Sequence, residues 1–132
     1  MNINIKFGIG FESIVFGMVP SKVIQVLGSP DKINSDSDER DYYMVYYYNE
    51  IMTKLFFDLR YDYKLTSIYT SNPDTYVWNK KIISLKKSEI EYLLNTNDVL
   101  AKIYDDYDFF DTIFCEMIYS TFNFEYNKLK SV

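Results

Sequence analysis

The chain has 132 residues and a formal net charge of −5, from 14 lysine and arginine residues against 19 aspartate and glutamate residues. It contains no histidine and a single cysteine, Cys115. Ser/His/Asp and Cys/His nucleophiles are therefore excluded, as are an intramolecular disulfide and a cysteine-based metal cluster. These counts predict one domain over residues 1–132 that acts by binding, is not an enzyme and uses no metal or other cofactor.

The first ten residues alternate between polar and apolar types, which predicts a strand or an ordered arm instead of a signal peptide. No run approaches the roughly 18 apolar residues that a transmembrane helix needs. The acidic balance argues against nucleic acid or an anionic membrane as partner, because both attract basic patches. We therefore expect a cytoplasmic protein.

The chain carries an internal similarity. Residues 15–28 align with 82–95, and Gly28 then falls over Asn95; both residue types accept the left-handed backbone just past a helix end. Downstream, residues 57–61 match 122–126, and 64–68 match 128–132. The pattern predicts an α+β fold, an antiparallel β-meander with short helices on one face, built from two similar α-β-β-β units at about 14–70 and 81–132.

In the first unit, the sequence predicts a helix that has Pro20 in its first turn and ends at Gly28. A polar, acidic loop is predicted over 29–41. The expected strands lie at 42–48, 53–61 and 65–70. Alternation over 53–61 places four apolar side chains on one buried face: Leu55, Phe57, Leu59 and Tyr61.

In the second unit, a helix is predicted near Leu85–Leu94. Strands are expected near Val99–Phe110, Phe114–Tyr126 and Leu129–Val132. Tyr126 is expected in the core, in line with Phe124. Cys115 is expected to be a small buried hydrophobe, because no neighbouring residue would activate a thiolate.

Carboxylates are densest over residues 105–111, and three interpretations stay open. The cluster could be a metal or acid–base site, a solvated strand edge that blocks pairing with other sheets, or an acidic surface for a basic partner. Tyrosine is also in excess, with 14 residues. The tyrosines between 42 and 48 cannot all point inward, because strand side chains alternate, so some are expected to form a binding surface.

Three short segments carry a resemblance: Phe16-Gly-Met18, Leu27-Gly-Ser-Pro-Asp31 and Lys64-Leu65 to Ile68. With the three-stranded meander, they resemble the helix-plus-meander modules of the β-lactamase inhibitor protein and of the small lipoprotein of the outer-membrane β-barrel assembly machinery. The resemblance is fainter over 82–132. The chain lacks the disulfide of the first and the N-terminal cysteine of the second. It looks instead like an immunity protein of bacterial toxin–immunity systems, such as contact-dependent growth inhibition.

That resemblance implies a protein that binds and neutralises a cognate toxin domain, which the acidic charge predicts to be a basic nuclease. Carboxylates would mimic phosphates and steer association, and tyrosines would anchor the complex. The partner-binding residues are expected on the exposed side of the sheet or its edge: Tyr46, Tyr48, Asp58, Asp106, Tyr107 and Asp108. The alternative is an interaction or assembly module, unrelated to toxins, that binds through a sheet edge or face.

Overall fold

The computed structural model describes residues 1–35, 42–100, 102–106 and 110–132. Over these residues the chain is a mixed α+β protein with two α-helices and three mostly antiparallel sheets, which confirms the predicted α+β class and the antiparallel pairing. The chain divides into two compact units. The first unit consists of Met1 with residues 9–70, and the second consists of residues 2–8 with residues 71–132.

The helices are short. They are α1 (Pro20–Leu27) and α2 (Lys87–Thr96). The strands in chain order are β1 (Ile3–Lys6), β2 (Gly10–Phe11), β3 (Ile14–Val15), β4 (Lys32–Ser35), β5 (Tyr43–Tyr48), β6 (Thr53–Asp58), β7 (Lys64–Thr70), β8 (Thr75–Val77), β9 (Lys80–Lys81), β10 (Ile103–Asp106), β11 (Phe110–Cys115), β12 (Ser120–Glu125) and β13 (Lys128–Ser131). Two 3-10 turns lie at Leu59–Tyr61 and Glu116–Ile118.

In the first unit, a β2–β3 hairpin precedes α1, and β4 to β7 then form an antiparallel sheet in chain order, the first sheet. Helix α1 has Pro20 in its first turn, where the missing N–H costs no hydrogen bond. It ends at Gly28, whose φ is +82° and whose N–H donates to the Ile24 carbonyl at 2.8 Å. The predicted start and end of this helix are confirmed.

The two faces of the first sheet differ in burial. Tyr46 is opposite Leu55, and Tyr48 is opposite Thr53. All four of these side chains are buried, as is Phe57. We call this the core face and the opposite one the outer face.

The strand predicted over 53–61 ends early, at Asp58. The Asp58 carboxylate accepts a hydrogen bond from the Arg60 N–H at 2.9 Å and starts the 3-10 turn. The turn breaks the two-residue alternation of the strand. Leu59 is consequently 41% exposed and Tyr61 is 60% exposed, so their predicted place in the core is wrong. Part of the predicted 29–41 loop is also strand β4, and residues 36–41 lie outside the described residues.

In the second unit, β1 pairs with β8 in parallel, and β8 pairs with β9 in a hairpin. Helix α2 follows, and β10 to β13 form an antiparallel sheet in chain order, the second sheet. The apolar side chains that meet beneath this sheet are Val77, Ile82, Ile90, Leu94, Val99, Ile113, Cys115, Phe122, Phe124 and Leu129. The predicted burial of Cys115 is confirmed.

Three predictions for the second unit need correction. In place of the two strands expected near Val99–Phe110 and Phe114–Tyr126, the structure has β10, β11 and β12, and the 3-10 turn at Glu116–Ile118 separates the last two.

Helix α2 begins and ends two residues later than predicted, and Asn97, not Asn95, follows its last turn. The backbone N–H of Lys86 donates to the Glu89 carboxylate at 3.2 Å, which fixes the later start. Tyr126 is 72% exposed instead of buried, because it sits with a φ of +51° in the turn between β12 and β13.

Candidate binding surface on the first sheet

Tyr46 and Tyr48 lie on the core face, so their predicted exposure is wrong. They are 5% and 6% exposed. The Tyr48 hydroxyl donates to the carbonyl of Gly28 at 2.9 Å, which attaches β5 to the end of α1. The Tyr46 ring packs 4.9 Å from that of Phe57, centroid to centroid. Both tyrosines stabilise the first unit from within.

Asp58 is also buried, with a side chain that is 2% exposed, and its predicted exposure is wrong. The Arg60 guanidinium donates twice to this carboxylate, from Nε at 3.1 Å and from Nη2 at 2.8 Å. These hydrogen bonds hold the pKa of Asp58 below its ordinary value, against the opposing effect of burial. The guanidinium also stacks 4.6 Å from the centre of the Tyr42 ring. The carboxylate is therefore neutralised within the chain.

Asp106 is exposed, as predicted, but it already has a cationic partner. Its carboxylate lies 3.0 Å from the Lys87 ammonium, which is also 3.6 Å from the carboxylate of Asp111. Asp106 and Asp111 face each other across β10 and β11. The other two predicted residues of this cluster, Tyr107 and Asp108, lie outside the described residues.

The outer face of the first sheet presents a feature that the sequence predicted only in part, because the outward-facing tyrosines of β5 are Tyr43 and Tyr47. A solvated face of an antiparallel sheet usually carries polar side chains. This one carries large, partly exposed aromatic and apolar side chains with two lysines among them. We call the following set the aromatic face: Lys32, Tyr43, Val45, Tyr47, Lys54, Phe56 and Tyr69.

Four members of the aromatic face form one straight row across all four strands. In register, Lys32 is opposite Tyr47, Tyr47 is opposite Lys54, and Lys54 is opposite Tyr69. The Lys54 ammonium lies 5.4 Å from the centre of the Tyr47 ring and 5.1 Å from that of Tyr69. The Lys32 ammonium lies 5.4 Å from the Tyr47 ring. These are cation–π distances, and we call this set the lysine–tyrosine row.

The equivalent face of the second sheet has a different chemistry. Its corresponding row runs from Ile103 through Phe114 to Thr121. The flanking rows expose the carboxylates of Asp105 and Glu125. This face lacks the lysine–aromatic alternation, so the two sheets present different surfaces.

Within the residues that the structure describes, no three carboxylate or cysteine side chains converge as metal ligands would. Neither described α-helix is long and apolar enough to span a membrane. The aromatic face presents partly exposed aromatic rings and two lysine ammonium groups within cation–π distance of them.

Comparisons of this chain with protein-family models, with curated proteins and with solved structures gave no match.

Proposed function

We propose that this protein binds and neutralises a cognate toxin domain of a bacterial toxin–immunity system, in the cytoplasm of the cell that makes it. The observation that supports the proposal is the aromatic face, which places Tyr47, Phe56 and Tyr69 partly exposed on one side of a rigid sheet. Tyrosines supply large contact area with few rotatable bonds, and they are enriched at the centres of interfaces. Covering the toxin's site would neutralise it without any chemistry by this chain.

A basic nuclease as the partner is the narrower form of this proposal. It depends on the net charge of −5. The carboxylates of Asp58 and Asp106, which the sequence suggested as phosphate mimics, are paired with Arg60 and Lys87. A basic partner would therefore have to use other carboxylates, such as Asp105 and Glu125.

Where a toxin domain is encoded immediately upstream of this gene, coexpression with that domain tests the proposal. We expect the intact chain to restore growth and to form a one-to-one complex, measured by gel filtration and calorimetry. The double variant Tyr47→Ser/Tyr69→Ser should lose at least about tenfold in affinity, because it removes two anchors from the interface.

Tyr92→Ser is the control, because Tyr92 is a tyrosine of helix α2 that belongs to neither sheet, and its side chain is 72% exposed. It should bind and protect like the wild type, provided that its melting temperature shows a folded chain. Absence of a complex with the intact chain, together with failure to restore growth, would overturn the proposal. Equal losses in the two variants would place the interface elsewhere.

We also propose that the two units arose by duplication. In support, each unit has the order hairpin, helix, four-stranded antiparallel sheet. Strand β5 (Tyr43–Tyr48) corresponds to β11 (Phe110–Cys115) at an offset of 67 residues, and β6 corresponds to β12 at the same offset. The irregularity in register at Phe56/Phe57 recurs at Asn123/Phe124, again 67 residues on. This offset pairs Phe57 with Phe124, not with Phe122 as the sequence alignment suggested.

A second candidate function is assembly by strand addition, with no toxin involved. The observation that favours it is that β4 and β10 each end their sheet, and that every residue in both strands is exposed. The backbone N–H of Ile33 points away from β5, because Ile33 and Tyr46 form a non-hydrogen-bonded pair, so Ile33→Pro would remove a donor at this open edge. If assembly is the function, Ile33→Pro should abolish partner capture and Tyr47→Ser should leave it intact.

A further inference from the structure

We propose that the aromatic face binds an acidic segment of the partner, an extended peptide that carries Asp or Glu and, two residues away, a large apolar side chain. This inference rests on the proposed function, because it specifies the chemistry of the surface that the partner brings. It runs against the basic partner that the net charge alone predicts.

The first argument is charge. Lys32 and Lys54 take part in none of the ion pairs found among the described residues. Asp58 lies on the same face, two residues beyond Phe56 along β6 and opposite Tyr43. Arg60 donates a hydrogen bond to each oxygen of its carboxylate. Among the described residues, the aromatic face therefore carries a positive charge, although the whole chain is acidic.

The second argument is preorganisation. The rings of Tyr47 and Tyr69 hold the Lys54 ammonium between them, which restricts a side chain that is otherwise flexible. A ring face satisfies the charge but accepts no strong hydrogen bond. The ammonium N–H groups therefore remain able to donate to a carboxylate, and this contact strengthens as a partner excludes water.

The third argument is spacing. One row further along the strands, Val45 and Phe56 face each other, and the Tyr43 ring packs against Phe56 with centroids 5.9 Å apart. Side chains two residues apart on a strand are separated by about 6.6 Å. When a bound peptide runs along the strands with a carboxylate above the lysine–tyrosine row, its apolar side chain two residues away therefore lies over Phe56.

Single-stranded nucleic acid is the competing ligand, because bases stack on tyrosines beside lysines. Two lysines make a short basic track, and the chain as a whole repels polyanions with its net charge of −5. A peptide with a few carboxylates fits two ammonium groups and an apolar row better.

Titrations of the ¹⁵N-labelled full chain followed by NMR would test this inference. The probe is the capped peptide Ser-Glu-Ser-Phe-Ser-Glu-Ser-Phe, with a twin in which both Glu are Lys, and oligothymidylate as the nucleic acid. We expect the acidic peptide to shift the amides of Tyr47, Lys54 and Tyr69. The basic twin and oligothymidylate should leave them in place.

The variant Lys32→Gln/Lys54→Gln should bind the acidic peptide with an affinity at least about fivefold lower, since two ion pairs are lost. The variant Lys32→Arg/Lys54→Arg should retain binding, because Arg keeps the charge and the ring contact. The control Lys80→Gln/Lys130→Gln makes the same change in net charge at exposed positions of the second unit, and it should bind like the wild type. Tighter binding of the basic twin or of oligothymidylate at these amides would overturn the inference, as would equal binding by the glutamine variant.

The toxin complex separates this inference from the proposed function. If the toxin binds through Tyr47 and Tyr69 but Lys32→Gln/Lys54→Gln leaves its affinity unchanged or raises it, the acidic-segment inference is wrong and the proposed function stands. If the upstream toxin does not bind but the acidic peptide titrates the aromatic face as expected, the proposed function is wrong and the inference stands.

Discussion

A single carboxylate, Asp58, organises the end of β6. It caps the 3-10 turn through the Arg60 N–H and holds the Arg60 guanidinium with two further hydrogen bonds. Asp58→Asn should lower the free energy of unfolding by about 1.5–3 kcal/mol, because hydrogen bonds to a charged group are lost. Urea unfolding at pH 7 measures this. Asp62→Asn is the control, since Asp62 is exposed and left-handed, a backbone conformation that Asn accepts, and it should change the stability little.

The same carboxylate predicts how the stability of the fold changes at acid pH. The pKa of Asp58 is lowered in the folded chain, chiefly by its hydrogen bond to Arg60, and an unfolded aspartate titrates near pH 3.9. The stabilisation is therefore present above about pH 4 and is lost as the pH falls through the folded pKa. The difference in stability between the wild type and Asp58→Asn should shrink below pH 4. A difference that stays constant down to the acid transition would contradict this.

Tyr48 predicts a loss of stability at alkaline pH, whereas Asp58 predicts one in acid. Burial raises its pKa to about 12, with smaller contributions from Tyr46 and Asp31. Because the folded pKa lies above the ordinary value near 10, the stabilisation is full below pH 10 and is lost as the pH rises toward 12. Tyr48→Phe should cost about 1 kcal/mol at pH 7 through the lost bond to Gly28, and it should flatten the alkaline decline. Tyr46→Phe, which keeps the packing on Phe57, is the control. It should keep the wild-type stability at pH 7 and change the alkaline decline only slightly, because Tyr46 makes a smaller contribution to the pKa of Tyr48 than burial does.

Among the elements, the β2–β3 hairpin depends on one glycine. Gly10 has a φ of +143°, and a Cβ atom there would lie 2.0 Å from the carbonyl oxygen of Ile14. Gly10→Ala should therefore cost about 3 kcal/mol or more, because the backbone of the hairpin must move. Gly28→Ala meets open space and should cost about 1–3 kcal/mol, because a φ of +82° with a ψ of −174° is a conformation open almost only to glycine. Thermal unfolding of both variants would test the order.

Lys87 connects helix α2 to the edge of the second sheet. Its ammonium contacts Asp106 and Asp111, and it lies 5.5 Å from the centre of the Tyr104 ring. Lys87→Met keeps the aliphatic stem and removes about 1 kcal/mol of pairing. We expect the amides of β10 to exchange about threefold to fivefold faster in this variant. Lys86→Met makes the same change in charge at an exposed position and should leave the exchange unaltered.

Helix α1 could be predicted from the sequence because its signals are local. A proline in the first turn, an apolar stripe and Gly28 each act within a few residues. The limits of β6 could not be predicted, since residues 53–61 alternate in type throughout. The turn at Asp58 depends on a side-chain bond to Arg60, and the hydrophobic pattern does not reveal that bond.

The orientation of β5 depended on its partner strand. Five tyrosines occur in residues 42–48, and alternation allows either set to face outward. The four residues 49–52 that join β5 to β6 place Tyr48 opposite Thr53 and Tyr46 opposite Leu55, so these two tyrosines share the face of a buried leucine. The alternation of β6 shows which of its own side chains are buried. Only the pairing register between β5 and β6 then shows which tyrosines of β5 lie on the same buried face. The aromatic face follows from that register.

At the scale of the whole molecule, the reactivity of the single cysteine thiol measures how readily the core of the second unit opens. Cys115 is fully buried in the core of that unit, and burial raises the pKa of its thiol. We expect no labelling of the folded chain by a thiol reagent within minutes at pH 8. Phe122→Ala removes a buried ring from the same core, which costs about 3–5 kcal/mol and should speed labelling at least a hundredfold. Met117→Ala, at an exposed position, should label at the wild-type rate.

The lysine–tyrosine row also has a consequence for how the first sheet selects its pairing. A slip of one residue between β5 and β6 would be costly, because it would turn Tyr46 outward and Tyr47 into the core. A slip of two residues returns every side chain to its own face, so burial alone discriminates poorly against it. Such a slip would, however, separate Tyr47 from Lys54 and break the cation–π contacts across the strands. The lysine–tyrosine row thus favours the observed register over one shifted by two residues, although both registers bury nearly the same apolar surface.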